Sequence, residues 1–177
     1  MPRHVILIGM IGSGKTTVGR ILARKLGRAF LDTDQEIEQY CGLTISEIFA
    51  EQGEAAFRRL ETQLLMHLAN LPRPTVIACG GGVVVRPENL GLLKRLGPVI
   101  WLKISADNLI LRLRFSRHQS RPLLQTEHWP DVVQQLVAER EESYLGAADV
   151  TLLADGLSPE QVAMQLQQKW RTIEGRR

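Results

Sequence analysis

"GMIGSGKT", residues 9–16, decides how this 177-residue chain must fold. It fits the pattern G-x-x-x-x-G-K-T. It also stands where that pattern requires, after the apolar run "HVILIG" from His4 and at the start of the helical pattern "KTTVGRILARKLG". Glycines 9, 12 and 14 let the backbone curl tightly and aim its N–H groups inward. Those amides and the helix N-terminus together form an anion site. Lys15 adds a point charge for the terminal phosphates of a nucleotide, and Thr16 offers a hydroxyl to Mg²⁺. A glycine turn that merely caps a helix is the weaker alternative, because motif and context agree. The stretch is a phosphate-binding loop.

Outward from it, four more short apolar runs follow: "AFLD" from Ala29, "TVIAC" from Thr75, "PVIWLK" from Pro98 and "DVTLLA" from Asp149. Each is brief, rich in β-formers and too apolar to be half exposed, as in a parallel sheet covered on both faces. Helical patterns lie between them. The first spaces Val18, Ile21, Leu22 and Leu26 on one face and stops at Gly27. "LTISEIFAEQG" opens with a capping box, Thr44 with Glu47, and "EAAFRRLETQLLMHLANL" continues in helical register. Ser105 and Ser158 are further caps, the latter with Pro159 and Gln161. Strands alternating with helices predict one α/β domain over residues 1–177, a doubly wound five-stranded parallel sheet flanked by helices. The polar stretch "SRHQSRPLLQTEHWP", Ser116 to Pro130, joins two helices. A connection this long is expected to be functional or mobile.

Composition narrows the class. Hydrophobic residues make up 44% and charged residues 23%, the balance of an ordinary globular domain. A net charge of +3 is too small to imply a nucleic-acid or membrane partner by itself. Cys41 and Cys79 lack metal-type spacing and read as reduced thiols, with Cys79 a small buried thiol ending a strand. No apolar run approaches the roughly 18 residues of a membrane span, and the N-terminal run leads into a glycine turn. A soluble, cytoplasmic monomer is the expectation.

"FLDTDQEI", Phe30 to Ile37, raises the question of chemistry. If the strand continues, Asp32 and Asp34 share one side of it, and two carboxylates held that close call for a positive partner. One could help hold Mg²⁺ and the other could accept a hydrogen bond from a substrate hydroxyl. A helix-capping aspartate beside an exposed one is an equal contender on local sequence, and the neighbouring phosphate loop favours function. "GGG", Gly80 to Gly82, exposes backbone N–H groups to an anion or polyol, or is a simple turn. Arg58 lies between Glu54 and Glu61, and Arg140 among glutamates. Each alone reads as a solvated salt-bridge ladder.

Taken in order, "GMIGSGKTTVGR", "FLDTD", "FRRLE", "CGGG", "RPLL" and "ER" followed by "SY" resemble the shikimate kinases over nearly the whole chain. The resemblance implies transfer of a phosphoryl group from ATP to the 3-hydroxyl of shikimate, in aromatic amino-acid biosynthesis. It implies that Gly12, Ser13, Gly14, Lys15, Thr16, Thr17 and Arg121 bind the nucleotide, and that Thr16 and Asp32 place Mg²⁺. Shikimate would be held by Asp34, Arg58, Gly80, Gly81, Gly82 and Arg140, on helices spanning about 34–62 and beyond. Lys15, Asp34 and Arg121 are the implied catalytic groups, with Arg121 in a lid at about 112–128. "DGLSPEQ" resembles a loop bordering adenine, and Arg114 or Arg117 could also touch phosphate.

Three rivals remain at this point. Another small-metabolite kinase of the same fold, such as a gluconate kinase, would share the phosphate loop. A non-catalytic nucleotide switch would bind ATP without a poised arginine. A nucleic-acid binder could use the basic stretch from Arg112 to Arg121, which has few aromatics to stack bases.

Overall fold

All four residues of β1 (Val5–Ile8) are fully buried, and the strand lies in the middle of a five-stranded sheet in this computed structural model, which describes residues 4–115 and 122–175. The other strands are β2 (Ala29–Asp32), β3 (Thr75–Ala78), β4 (Val99–Lys103) and β5 (Val150–Leu153). Their order is β2-β3-β1-β4-β5 and every pairing is parallel, with Ile6 opposite Ile77 on one side and Val99 on the other. All five expected apolar runs are strands. Parallel neighbours need crossovers, and helices supply them.

The helices are α1 (Lys15–Leu26), α2 (Thr33–Cys41), α3 (Ile45–Gln52), α4 (Glu54–Leu68), α5 (Pro87–Leu96), α6 (Ala106–Arg114), α7 (Trp129–Ala147) and α8 (Pro159–Gly175). Gly27 ends α1 in the left-handed conformation at φ 63, and the Thr44–Glu47 capping box opens α3 with both hydrogen bonds made. Ser158 and Gln161 cap α8 reciprocally. The sequence reading names no element at α5, which Pro87 opens, and it carries α4 to Leu71, three residues beyond its end. The chain leaves β1 toward one sheet edge and leaves β4 toward the other. The crevice beyond their carboxyl ends is therefore the topological switch point where such sheets take ligands.

Two cores hold the molecule. The larger surrounds the sheet, with Leu22, Leu65, Leu93, Leu109 and Leu166 packed on its faces. The smaller is formed by Ile37, Ile48 and Phe57 from α2, α3 and α4, with Phe49 against Phe57 at a centroid distance of 5.1 Å.

One expectation needs correcting. The strand does not run through "DTD": β2 ends at Asp32, and Thr33 already begins α2. Asp32 is the cap of that helix, its Oδ1 accepting from the N–H groups of Asp34 (3.0 Å) and Gln35 (3.4 Å). Capping ended the strand two residues short of Asp34, so alternation does not relate the two carboxylates. The expected lid is described in part. Arg114 is exposed at the end of α6 and Pro122–Leu124 forms a single 3-10 turn, while Arg117, His118 and Arg121 lie outside the described residues.

Candidate active site

The phosphate loop runs from β1 to α1 at the switch point. Gly14 precedes the helix at φ +90, a value other residues rarely adopt. A side chain on Gly9 would collide with the Leu102 carbonyl of β4 at 2.7 Å. The Lys15 ammonium lies back over its own loop, donating to the carbonyls of Gly9 and Met10, both at 2.8 Å, and to Ser13 Oγ at 3.3 Å. Gly12 is half-buried, Ser13 is buried, and Thr17 is exposed on the first turn of α1. Arg112 on α6 reaches the Ser13 carbonyl and the Ala154 carbonyl, each at 3.5 Å, so the guanidinium spans the crevice between the phosphate loop and the chain leaving β5. Sequence reasoning placed Arg112 only in a basic cluster.

Thr16 Oγ1 donates to Asp32 Oδ2 at 2.6 Å, which brings the loop's hydroxyl and the end of β2 together. A hydroxyl beside a carboxylate is a hard-oxygen pair suited to Mg²⁺. Among the described residues no three His, Cys, Asp or Glu side chains gather into a cage. A cation here would draw its other ligands from phosphate oxygens and water. The residues fit that ion.

Thr16 and Asp32 line a cavity of about 400 Å³ whose walls also include Asp34, Arg58, Glu61, Gly80, Gly81, Gly82 and Arg140. Ile45, Phe49, Phe57, Leu124 and Leu136 supply an apolar wall. The sequence-derived acceptor residues therefore meet at one place, although they come from α2, α4, the β3–α5 turn and α7. Lys15 is not on that wall, and Arg121 lies outside the described residues.

Arg58 has the ladder partners its spacing suggested, but the ladder is not solvated. Its guanidinium donates to Glu54 Oε1 at 2.9 Å and to Glu61 Oε2 at 2.6 Å, with Arg58 7% exposed and Glu61 2%. Burial acts against the arginine's charge, and Glu61 and Glu54 outweigh it, holding its pKa above the ordinary value. For Glu61 burial wins: its pKa is pushed up to about 7, against the pull of Arg58 and with the Asp34 charge adding to the rise. Gly82 is the floor beneath this arginine. A Cβ there would overlap the guanidinium itself, and one on Gly80 would come within 2.5 Å of Asp34 Oδ1.

Arg140 donates to the Gly81 carbonyl at 3.1 Å instead of pairing with its neighbouring glutamates, of which Glu141 takes Lys103. Cys79 is a fully enclosed thiol just past β3, and burial pushes its pKa up, as the inert reading expected. Sequence reasoning missed Thr33, whose hydroxyl accepts from the Gly80 N–H at 2.9 Å and ties α2 to the glycine turn. It also missed Asn89, fully buried on α5, which accepts from Thr62 and donates to the Val83 carbonyl just beyond that turn. Neither carries a local pattern that would mark it.

A phosphate loop opening on a compact, polar and charged acceptor cavity defines a P-loop kinase of small molecules. Deoxyadenosine kinase from M. mycoides shares the fold at a TM-score of 0.61 and 14% identity, covering 95% of this chain and 99% of that one. Within that class the shikimate kinase model matches residues 11–171, and the chain belongs to the shikimate kinase family. Shikimate kinase of Synechococcus elongatus is 44% identical over 161 residues, 91% of this chain and 82% of the relative. That of Moorella thermoacetica is 41% identical over 168 residues, 95% and 94% of the two chains. The structure of shikimate kinase from Acinetobacter baumannii in complex with shikimate superposes at a TM-score of 0.91 with 35% identity, covering 97% of this chain and 94% of that one.

Proposed function

We propose that this chain is a shikimate kinase that transfers the γ-phosphoryl group of ATP to the 3-hydroxyl of shikimate, with its own residues in the following roles. One observation carries the reading. A single cavity is lined both by Thr16 of the phosphate loop with its partner Asp32 and by Asp34, Arg58, Arg140 and Gly80–Gly82. Donor and acceptor groups thus face the same small volume.

The loop amides and Lys15 bind the phosphates, the ammonium exchanging its carbonyl partners for phosphate oxygens. Thr16 and Asp32 would hold Mg²⁺, which neutralises phosphate charge when bound. Arg58 and Arg140 grip the acceptor carboxylate with planar forks, and the glycine turn lets the ring lie close to the backbone. Asp34 accepts a hydrogen bond from the attacking hydroxyl and takes its proton as the oxygen bonds to the γ-phosphorus. The bond to the β–γ bridging oxygen then breaks and ADP leaves. The chemistry is positioning and charge neutralisation. Arg121, outside the described residues, is the proposed lid arginine that completes the phosphate site.

Among the described residues no helix is long and apolar enough to cross a membrane. The reading needs two small-molecule substrates and no macromolecular partner, and a monomer suffices because every acceptor group comes from one chain.

Steady-state ADP release from purified protein with MgATP tests it, with shikimate, with gluconate and with neither. Strong release only with shikimate is expected. Release with gluconate and none with shikimate would replace the acceptor and leave the phosphate loop intact.

Glu61 gives a pH test. A carboxylate with a pKa of about 7 that shares Arg58 with an anionic acceptor takes up a proton when the acceptor binds. Shikimate should therefore bind roughly two- to fivefold more tightly at pH 6 than at pH 8, the range given by an upward shift of about half a unit to one unit. Calorimetric titration at both pH values measures it, and Glu61→Gln should flatten the difference. An equal slope in wild type and variant would assign the effect to another group.

A further inference from the structure

Tyr144 belongs to the "ER…SY" motif, yet neither the phosphate loop nor the acceptor contacts account for it. It is 1% exposed on α7, one turn after Arg140. Its hydroxyl donates to the Gly81 carbonyl at 2.5 Å, and that oxygen also receives an N–H from Arg140 at 3.1 Å. The Met10 thioether lies 3.6 Å from the same hydroxyl, but sulfur is the weaker acceptor and the single proton belongs on the carbonyl. Burial pushes the phenol's pKa up, so it remains a donor. The ring is fixed from the other side, stacked on Trp101 of β4 with centroids 5.4 Å apart and planes 18° from parallel.

Gly81 is also where the two halves of the site touch. A Cβ on it would meet the Ile11 N atom of the phosphate loop at 3.1 Å. Whatever holds the Gly81 carbonyl therefore holds the glycine turn against the donor loop. Arg140 alone is the weaker holder, because a guanidinium that turns to face an anionic acceptor can lengthen its 3.1 Å bond to that oxygen.

We infer that Tyr144 is a positioning residue that shares the Gly81 carbonyl with Arg140, so that the glycine turn stays fixed beside the phosphate loop when the guanidinium turns to the anionic acceptor. The inference rests on the kinase reading above. Lacking the hydroxyl, the carbonyl would compete with the acceptor for Arg140, at the scale of one hydrogen bond. The hydroxyl meets the phosphate loop at the Met10 thioether, a weak acceptor, so the ATP site should be left nearly as it was.

Tyr144→Phe removes one oxygen and keeps the stacked ring, so the variant should fold, as a Tm within a few degrees of wild type would verify. Its KM for shikimate should rise roughly three- to tenfold, the worth of one net hydrogen bond, with the KM for ATP unchanged. In the double variant with Arg140→Lys, the KM increase should fall clearly short of the product of the two single increases, because both residues act on one carbonyl. Unchanged shikimate KM, or equal increases in both KM values with a lowered Tm, would overturn the inference. So would independent, multiplicative effects in the double variant. If Tyr144→Phe does not fold, the coupling is read between Trp101→Phe, which loosens the ring, and Arg140→Lys, with the same two outcomes. Wild-type protein that releases no ADP with shikimate would instead defeat the kinase reading itself, so the two failures are distinct.

Discussion

Asp34→Asn is expected to lose roughly a thousandfold in kcat, the middle of the range for removal of a positioned general base. The substitution changes one atom and a charge, and the surrounding geometry explains why little else should move. The Asp34 backbone N–H is held by Asp32 Oδ1, and that bond does not depend on the side chain at 34. The Thr16–Asp32 pair lies on the other oxygen of the same cap, so the phosphate and cation groups remain in place. ATP binding, followed by fluorescence or calorimetry, should stay within about twofold of wild type. Near-normal turnover would remove Asp34 from the reaction and leave it as part of a helix first turn.

Arg58→Ala should raise the KM for shikimate roughly a hundredfold, the scale for losing a buried bidentate partner of a carboxylate. It should also destabilise the fold by about 1–3 kcal/mol, because Glu61 loses its buried partner, and the loss should grow as the pH rises above 7, where a carboxyl without its cation has to be kept protonated. Those two effects separate in the double variant Arg58→Ala/Glu61→Gln. Removing the titrating carboxyl should restore the part of the Tm lost at pH 8 and none of the acceptor affinity. An unchanged KM in that folded double variant would show that Arg58 serves the packing of α4 alone.

How far the sequence carried differs from residue to residue. The phosphate loop was legible throughout because its chemistry is made by consecutive backbone amides, so motif and structure are one object. The five strands were legible as short apolar runs, but only β1, β3 and β4 are covered on both faces; the edge strands β2 and β5 are part exposed, against the expectation that none would be. "DTD" was read through strand alternation, and the structure relates its two carboxylates differently. Asp32 followed three residues later by Gln35 was the available signal of a helix cap, and that cap overrides strand alternation. Spacing named both partners of Arg58 but could not show that this face of α4 turns inward. Its burial follows from Gly82 lying beneath it, far along the chain. Tyr144 and Asn89 act on carbonyl oxygens of the β3–α5 turn, and backbone acceptors leave no mark in the sequence at all.

The separate small core of Ile37, Ile48 and Phe57 has a consequence for how the family's acceptor site can change. Helices held by their own cluster can open, or accumulate substitutions, with limited damage to the sheet that carries the phosphate loop. Changes within that cluster need not reach the strands that carry the phosphate loop, although Asp32 still ties the start of α2 to Thr16. A different polyol could be accommodated by exchanging Gln35, Glu38, Ile45 and Phe49, which line the cavity from this part of the chain, with the phosphate loop inherited unchanged.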